Sequence, residues 1–150
     1  MYPFRLKWRI EGVPELSRIL LMTGRKVENF KEPLFKSSRL ILQDVERNFV
    51  TEGGLVGGWQ PLTEATVRGR EREGFGGAHP ILQRTGTLRR SFKGYVDSKK
   101  AVITSVGVPY YKFHQSRRPR TKLPRRAMLT LVERTRQNII QNFNEFLRFK

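Results

Sequence analysis

An α+β fold, with a small antiparallel sheet packed with N-terminal helices and a long C-terminal helix, is predicted by three patterns in the sequence. Phe92–Val96 and Ala101–Val106 are β-rich runs joined by the four-residue connection Asp97–Lys100. Apolar side chains recur at three- and four-residue spacing over 33–49 and again from Met128 almost to Lys150, and Phe4–Ile10 alternates apolar with cationic residues. The 150 residues make one domain, 1–150, long enough to bury about two-thirds of the extended-chain surface.

In chain order, Phe4, Leu6, Trp8 and Ile10 alternate with Arg5, Lys7 and Arg9, which predicts a first strand with one buried and one solvated face. Leu16, Ile19, Leu20, Met22 and Val27 then suit a helix over 15–31, interrupted near Gly24. A second helix over 33–49 follows Pro33, with Leu34, Leu40, Ile41, Val45 and Phe49 close to one face, and Gly53-Gly54 ends it. The segment 53–80 holds eight glycines and reads as a flexible connection, apart from a short helix opened by Thr63. Within it, Arg68–Glu73 mixes charges and reads as a solvated helix face or a mobile loop.

Thr85–Leu88 is a turn into a short helix, followed by the 92–106 hairpin, which with Phe4–Ile10 completes the expected sheet. Tyr110–His114 is an aromatic patch, and 116–126 is a basic loop, because two prolines and crowded like charges oppose a helix there. Only Leu123 in that loop is apolar enough to anchor it. The last helix starts near Met128, with Leu131, Val132, Thr135, Ile139, Phe143, Phe146 and Leu147 on one broad face.

Composition narrows the chemistry. With no cysteine, a disulfide framework, a thiolate metal site and a cysteine nucleophile are excluded. His79 and His114 are the only histidines, Asp44 and Asp97 the only aspartates, and no triad or metal-ligand spacing joins them. His114 therefore reads as a packed structural histidine and His79-Pro80 as a turn. Neither GGLVGG nor GFGG carries the Lys-Ser/Thr ending of a phosphate loop. No enzyme, metal or cofactor is expected. The longest apolar run is Ile19–Met22, far short of a membrane span, and no secretory signal is visible, which points to synthesis in the cytoplasm.

Charge is the strongest signal. The chain carries 30 Lys and Arg against 13 Asp and Glu, a net +17, with twice as many arginines as lysines. Residues 110–150 alone carry a net +9, and six of the eleven residues over 116–126 are basic. Arg117, Arg118, Arg120, Lys122, Arg125 and Arg126 are therefore the candidate contacts to an anionic partner, either nucleic acid or an acidic protein surface.

Four motifs occur in order: Trp59-Gln60-Pro61-Leu62; Ile81-Leu82-Gln83-Arg84-Thr85-Gly86-Thr87-Leu88-Arg89-Arg90-Ser91; Val106-Gly107 with Tyr110-Tyr111 and His114-Gln115; and Pro124-Arg125-Arg126-Ala127-Met128-Leu129. Over roughly 40–147 this order resembles the phage virion morphogenesis family, tail completion and head–tail joining proteins of the Mu-like G protein type. The chain departs from that pattern at Ala127 and Met128, where proline and an aromatic are usual, and at Ser116-Arg117-Arg118, where glycines are usual.

The resemblance implies a structural virion protein at the head–tail junction, made in the host cytoplasm. It would form a ring, expected to be a hexamer, between neck or head-completion proteins and tail-tube or tail-terminator proteins, with genomic DNA in the channel. Trp59, Pro61, Leu62, Tyr110, Tyr111, His114, Met128 and Leu129 are then the expected subunit or neighbour interface, with core packing the other reading for Trp59, Pro61 and Leu62. The alternative function is a free, sequence-independent nucleic-acid-binding protein using the basic loop and the Tyr110-Tyr111 patch.

Overall fold

The structure, a computed structural model, describes residues 29–118 and 123–148. It is an α+β arrangement of five helices and a two-stranded antiparallel sheet. The expected strand Phe4–Ile10 lies outside the described residues, as do Arg120 and Lys122. Of the helix expected over 15–31 only 29–31 are described: Asn29 and Phe30 are not helical, and Lys31 opens the next helix.

Helix α1 (Lys31–Val50) is the central element. Glu32 and Pro33 stand in its first turn, where a carboxylate meets unsatisfied N–H groups and a missing proline N–H costs no bond. Pro33, Ser37, Val45, Asn48 and Phe49 are buried on one side. The hairpin of β1 (Phe92–Val96) and β2 (Ala101–Ser105) crosses that side, with Phe92 opposite Ser105 and Val96 opposite Ala101. Close packing there relies on small residues, since a side chain at Gly94 would meet Leu42 at 3.3 Å and Ser38 at 3.6 Å. Asp97 shapes the hairpin turn by accepting from the Lys99 and Lys100 N–H groups, both at 2.8 Å, and those donors hold its carboxyl below the usual range.

The other helices are short. Thr63 caps α2 (Glu64–Arg72) by accepting from Thr66 N–H, as expected of a threonine before a helix. Gly86, in the left-handed region, leads into α3 (Thr87–Arg90), and α4 spans Tyr111–Gln115. The last helix, α5 (Glu133–Arg148), packs on α1 through Thr135, whose hydroxyl donates to Asp44 at 2.5 Å, and through Phe143 and Phe146, which flank Phe30.

Helix α5 begins five residues later than its apolar spacing predicts. Residues 124–132 are non-helical, and Ala127, Met128 and Leu129 are buried, so Leu131, expected on the helix face, is instead exposed ahead of it. The cause is competition for backbone groups: Trp59, Asn48 and Gln115 side chains bond the carbonyls and N–H groups that a helix would use.

The core runs along a row of aromatic rings. Phe49 meets Trp59 edge-on at 5.4 Å and Phe92 at 6.0 Å, and Phe92 meets Tyr111 edge-on at 6.0 Å; Ile81, Leu88, Val108, Met128 and Leu129 fill in around them. Trp59 is positioned by the turn that follows α1. Gly53 N–H donates to Asn48 C=O, Trp59 N–H donates to Glu52 C=O, and Gly53 itself sits at φ +89° beneath the indole.

A Cβ at Gly53 would lie 2.4 Å from Trp59 Cδ1, whereas one at Gly57, φ +85°, would meet nothing within 4 Å. Gly57→Ala is therefore expected to cost about 1 kcal/mol, the left-handed strain alone. Gly53→Ala adds displacement of the indole and should cost about 3 kcal/mol or more. Urea unfolding of the two variants checks the difference.

Candidate interaction surface

The residues singled out from the sequence divide into a buried joint and an exposed margin. Helix α4 turns Tyr111 and Gln115, four residues apart, inward, and leaves Tyr110 and Phe113 exposed. The Gln115 amide then holds the non-helical segment ahead of α5: Oε1 accepts from Met128 N–H at 2.9 Å and Leu129 N–H at 3.0 Å, while Nε2 donates to Leu129 C=O at 2.6 Å. Asn48 Nδ2 donates to Met128 C=O at 3.0 Å and Trp59 Nε1 to Ala127 C=O at 2.9 Å. Trp59, Tyr111, Met128 and Leu129 are thereby core residues: this corrects the interface expected for Tyr111, Met128 and Leu129 and, of the two readings of Trp59, gives core packing. Their aromatic and apolar character serves packing within the chain. Pro61 and Tyr110 are exposed, and Leu62 and His114 half-buried.

Arg126 also departs from expectation. It is 5% exposed, its Nε donates to Gln60 C=O at 2.9 Å and Nη2 to Pro61 C=O at 3.0 Å, and its own N–H donates to His114 C=O. It ties the basic loop to the body and does not project from the surface as an open loop cation would. Burial lowers its pKa from the ordinary guanidinium value. Arg117, Arg118 and Arg125 remain exposed, and no ion pair engages them among the described residues.

Beside this joint lies a groove of about 700 Å³ between α2, the Gln60–Thr63 stretch, Leu82–Thr85 and the Leu123–Arg126 segment. Thr63, Thr66, Arg70 and Glu73, on one side of α2, form one wall, and Tyr110, His114 and Arg126 line it as well. Arg70 is the exception to the solvated face expected for Arg68–Glu73: it is 6% exposed, donating to Pro80 C=O at 3.1 Å and Phe75 C=O at 3.2 Å. Glu73 is paired with Arg84, whose guanidinium also lies over the Phe75 ring. His114 Nδ1 and Arg70 Nε are the buried side-chain nitrogens without a hydrogen-bond partner among the described residues. Burial, and secondarily the Arg126 charge, lowers the His114 pKa and keeps the ring neutral near pH 7.

Arg70 and Asn48 escaped the sequence reading. The only signal for Arg70 is its register, since Thr63, Thr66, Arg70 and Glu73 recur at three- and four-residue spacing. Among the described residues no group of His, Asp or Glu is placed to hold a metal ion, and no helix is long and apolar enough to cross a membrane. Comparison with protein-family models, curated proteins and solved structures gave no match.

Gln115→Leu leaves three buried backbone groups without partners and should cost about 3 kcal/mol or more in denaturant unfolding, at about 1 kcal/mol or more for each. His114 adds a pH term of definite sign. Its folded pKa lies below its unfolded one, so its contribution is complete above about pH 6.5 and is lost as pH falls from there through the folded value. His114→Phe should flatten the fall in melting temperature between about pH 7 and pH 5 relative to wild type.

Proposed function

We propose that the chain is a structural, non-catalytic virion protein of the bacteriophage head–tail junction, a neck, connector or tail completion component. It joins the tail to the head as a ring, a hexamer matching the tail's symmetry. The reading is supported by the way the residues that carry the family resemblance interlock. Trp59 holds Ala127, Gln115 holds Met128 and Leu129, Arg126 holds Gln60 and Pro61, and Ile81 and Leu88 lie in the same core. Motifs far apart in sequence thus form one joint, which is the kind of constraint that keeps such a pattern together. Ala127 and Met128, which depart from the pattern, are buried in that joint, so they change its packing and leave its connections in place.

What the joint leaves outside is the recognition surface. Arg117, Arg118 and Arg125 are exposed, Arg125 also donating to Gln115 C=O, and a head-to-tail interface repeated about an axis sets one such cluster per subunit around a ring. An acidic neighbouring ring, or the genome within the channel, is the anion they meet.

Light scattering on the purified chain, alone and with tails lacking it, at low and high salt, tests the reading. A closed ring or stoichiometric addition to tails is expected. Arg117→Glu combined with Arg118→Glu should weaken joining at least roughly tenfold without lowering the melting temperature, because both side chains lie outside the joint. A persistent monomer that ignores tails and binds DNA with a steep salt dependence overturns the proposal in favour of a free nucleic-acid-binding protein.

A further inference from the structure

The groove beside α2 holds more positive charge than the described residues neutralise. Arg70 and Arg126 are both more than nine-tenths buried, and both donate only to backbone carbonyls: Phe75 and Pro80 for one, Gln60 and Pro61 for the other. No carboxylate pairs with either among the described residues, although buried charges are ordinarily paired. The one acidic residue lining the groove, Glu73, is already taken by Arg84. Both unpartnered buried nitrogens, Arg70 Nε and His114 Nδ1, belong to residues of this same lining. Carbonyl dipoles offset part of the cost of two enclosed guanidinium groups, and an anion in the groove would offset the rest.

The rest of the lining limits which anion. Leu62, Leu82, Leu123 and Pro124 supply the apolar part of the lining, and about 700 Å³ accommodates a few side chains. A nucleic-acid backbone is best met by projecting cations along a polar track, whereas these guanidinium groups are sunk in an apolar wall. Carboxylates combined with aliphatic side chains match both features. We propose that the groove is a docking site for a short acidic, leucine-bearing peptide segment of a partner protein, held by the charge of Arg70 and Arg126 and by the leucines that line the same groove. This inference goes beyond the head–tail reading and does not depend on it.

Thr66→Glu is a suitable probe. Thr66 is exposed, lies three residues after the Thr63 cap and lines the groove, so a glutamate there completes a capping box while offering the site a carboxylate of its own. The variant should fold with an equal or higher melting temperature. Fluorescence anisotropy with a dye-labelled hexapeptide of alternating leucine and glutamate, at about 0.15 M salt, should show saturable binding to the full chain. Thr66→Glu should weaken it at least roughly tenfold, while Lys93→Glu, on the exposed strand away from the groove, should change it less than about threefold.

The lysine counterpart of the peptide and a labelled oligothymidylate should not be displaced by groove occupancy. Absence of peptide binding overturns the proposal, as does equal weakening by Lys93→Glu, which would mark general charge attraction. Oligothymidylate binding that Thr66→Glu abolishes, with no peptide binding, would assign the groove to nucleic acid. Because the assay needs only the chain in solution, failure to form a ring leaves its outcome intact.

Discussion

Ala127, Met128 and Leu129 are buried outside any helix, and no strand among the described residues pairs with them, so side chains satisfy their amides and carbonyls. Three side chains do this, each from a different part of the chain: Asn48 from α1, Trp59 from the turn after it and Gln115 from α4. The position of those elements is thereby fixed relative to one another. Phe49, Phe92 and Tyr111 close the row of rings that Trp59 begins, and the hairpin is seated by Phe92. An aliphatic residue at position 115 would preserve much of the volume and lose the bonds, which is why a polar residue is needed in so apolar a place.

The same constraint determines where charge appears on the surface. Once Met128 and Leu129 are drawn inward, Arg126 has to follow them, and its guanidinium finds the carbonyls of Gln60 and Pro61. The basic loop is thus divided: one arginine is structural, while Arg117, Arg118 and Arg125 stay in solvent. The groove exists because Arg126 and the Leu123–Pro124 stretch form one side of it and α2 the other. Recognition and stability are therefore coupled at this corner of the molecule, since the residue that anchors the loop also lines the groove.

Much of this was legible from residue order. The hairpin over 92–106 was readable because β-rich runs flank a short polar turn, and α1 because its apolar spacing is sustained over many turns. The Thr63 cap likewise marks the start of α2 in the sequence. The start of α5 was not legible. Met128 through Val132 continues the helical spacing, and nothing local reveals that Gln115 and Asn48 have claimed the backbone there. Arg70 and Arg126 were misread for the same reason: an arginine looks solvated until the carbonyls around it are known. Tyr111, Met128 and Leu129 lie in the core and not at the expected interface, and of the two readings open for Trp59 the structure has core packing, because packing inside a chain and packing between chains call for the same side chains.

Three of the decisive hydrogen bonds span a long stretch of chain: Asn48 to Met128, Trp59 to Ala127 and Arg126 to Gln60. Loop closure on that scale carries an entropic cost that must be met before any contact compensates it, a cost that the local helices do not bear. During synthesis α1, the hairpin and the indole of Trp59 all emerge before the segment that unites them. Until residues 126–129 are made, the aromatic row lacks one wall, and that interval is when a nascent chain of this composition is most exposed to aggregation or to capture by a chaperone.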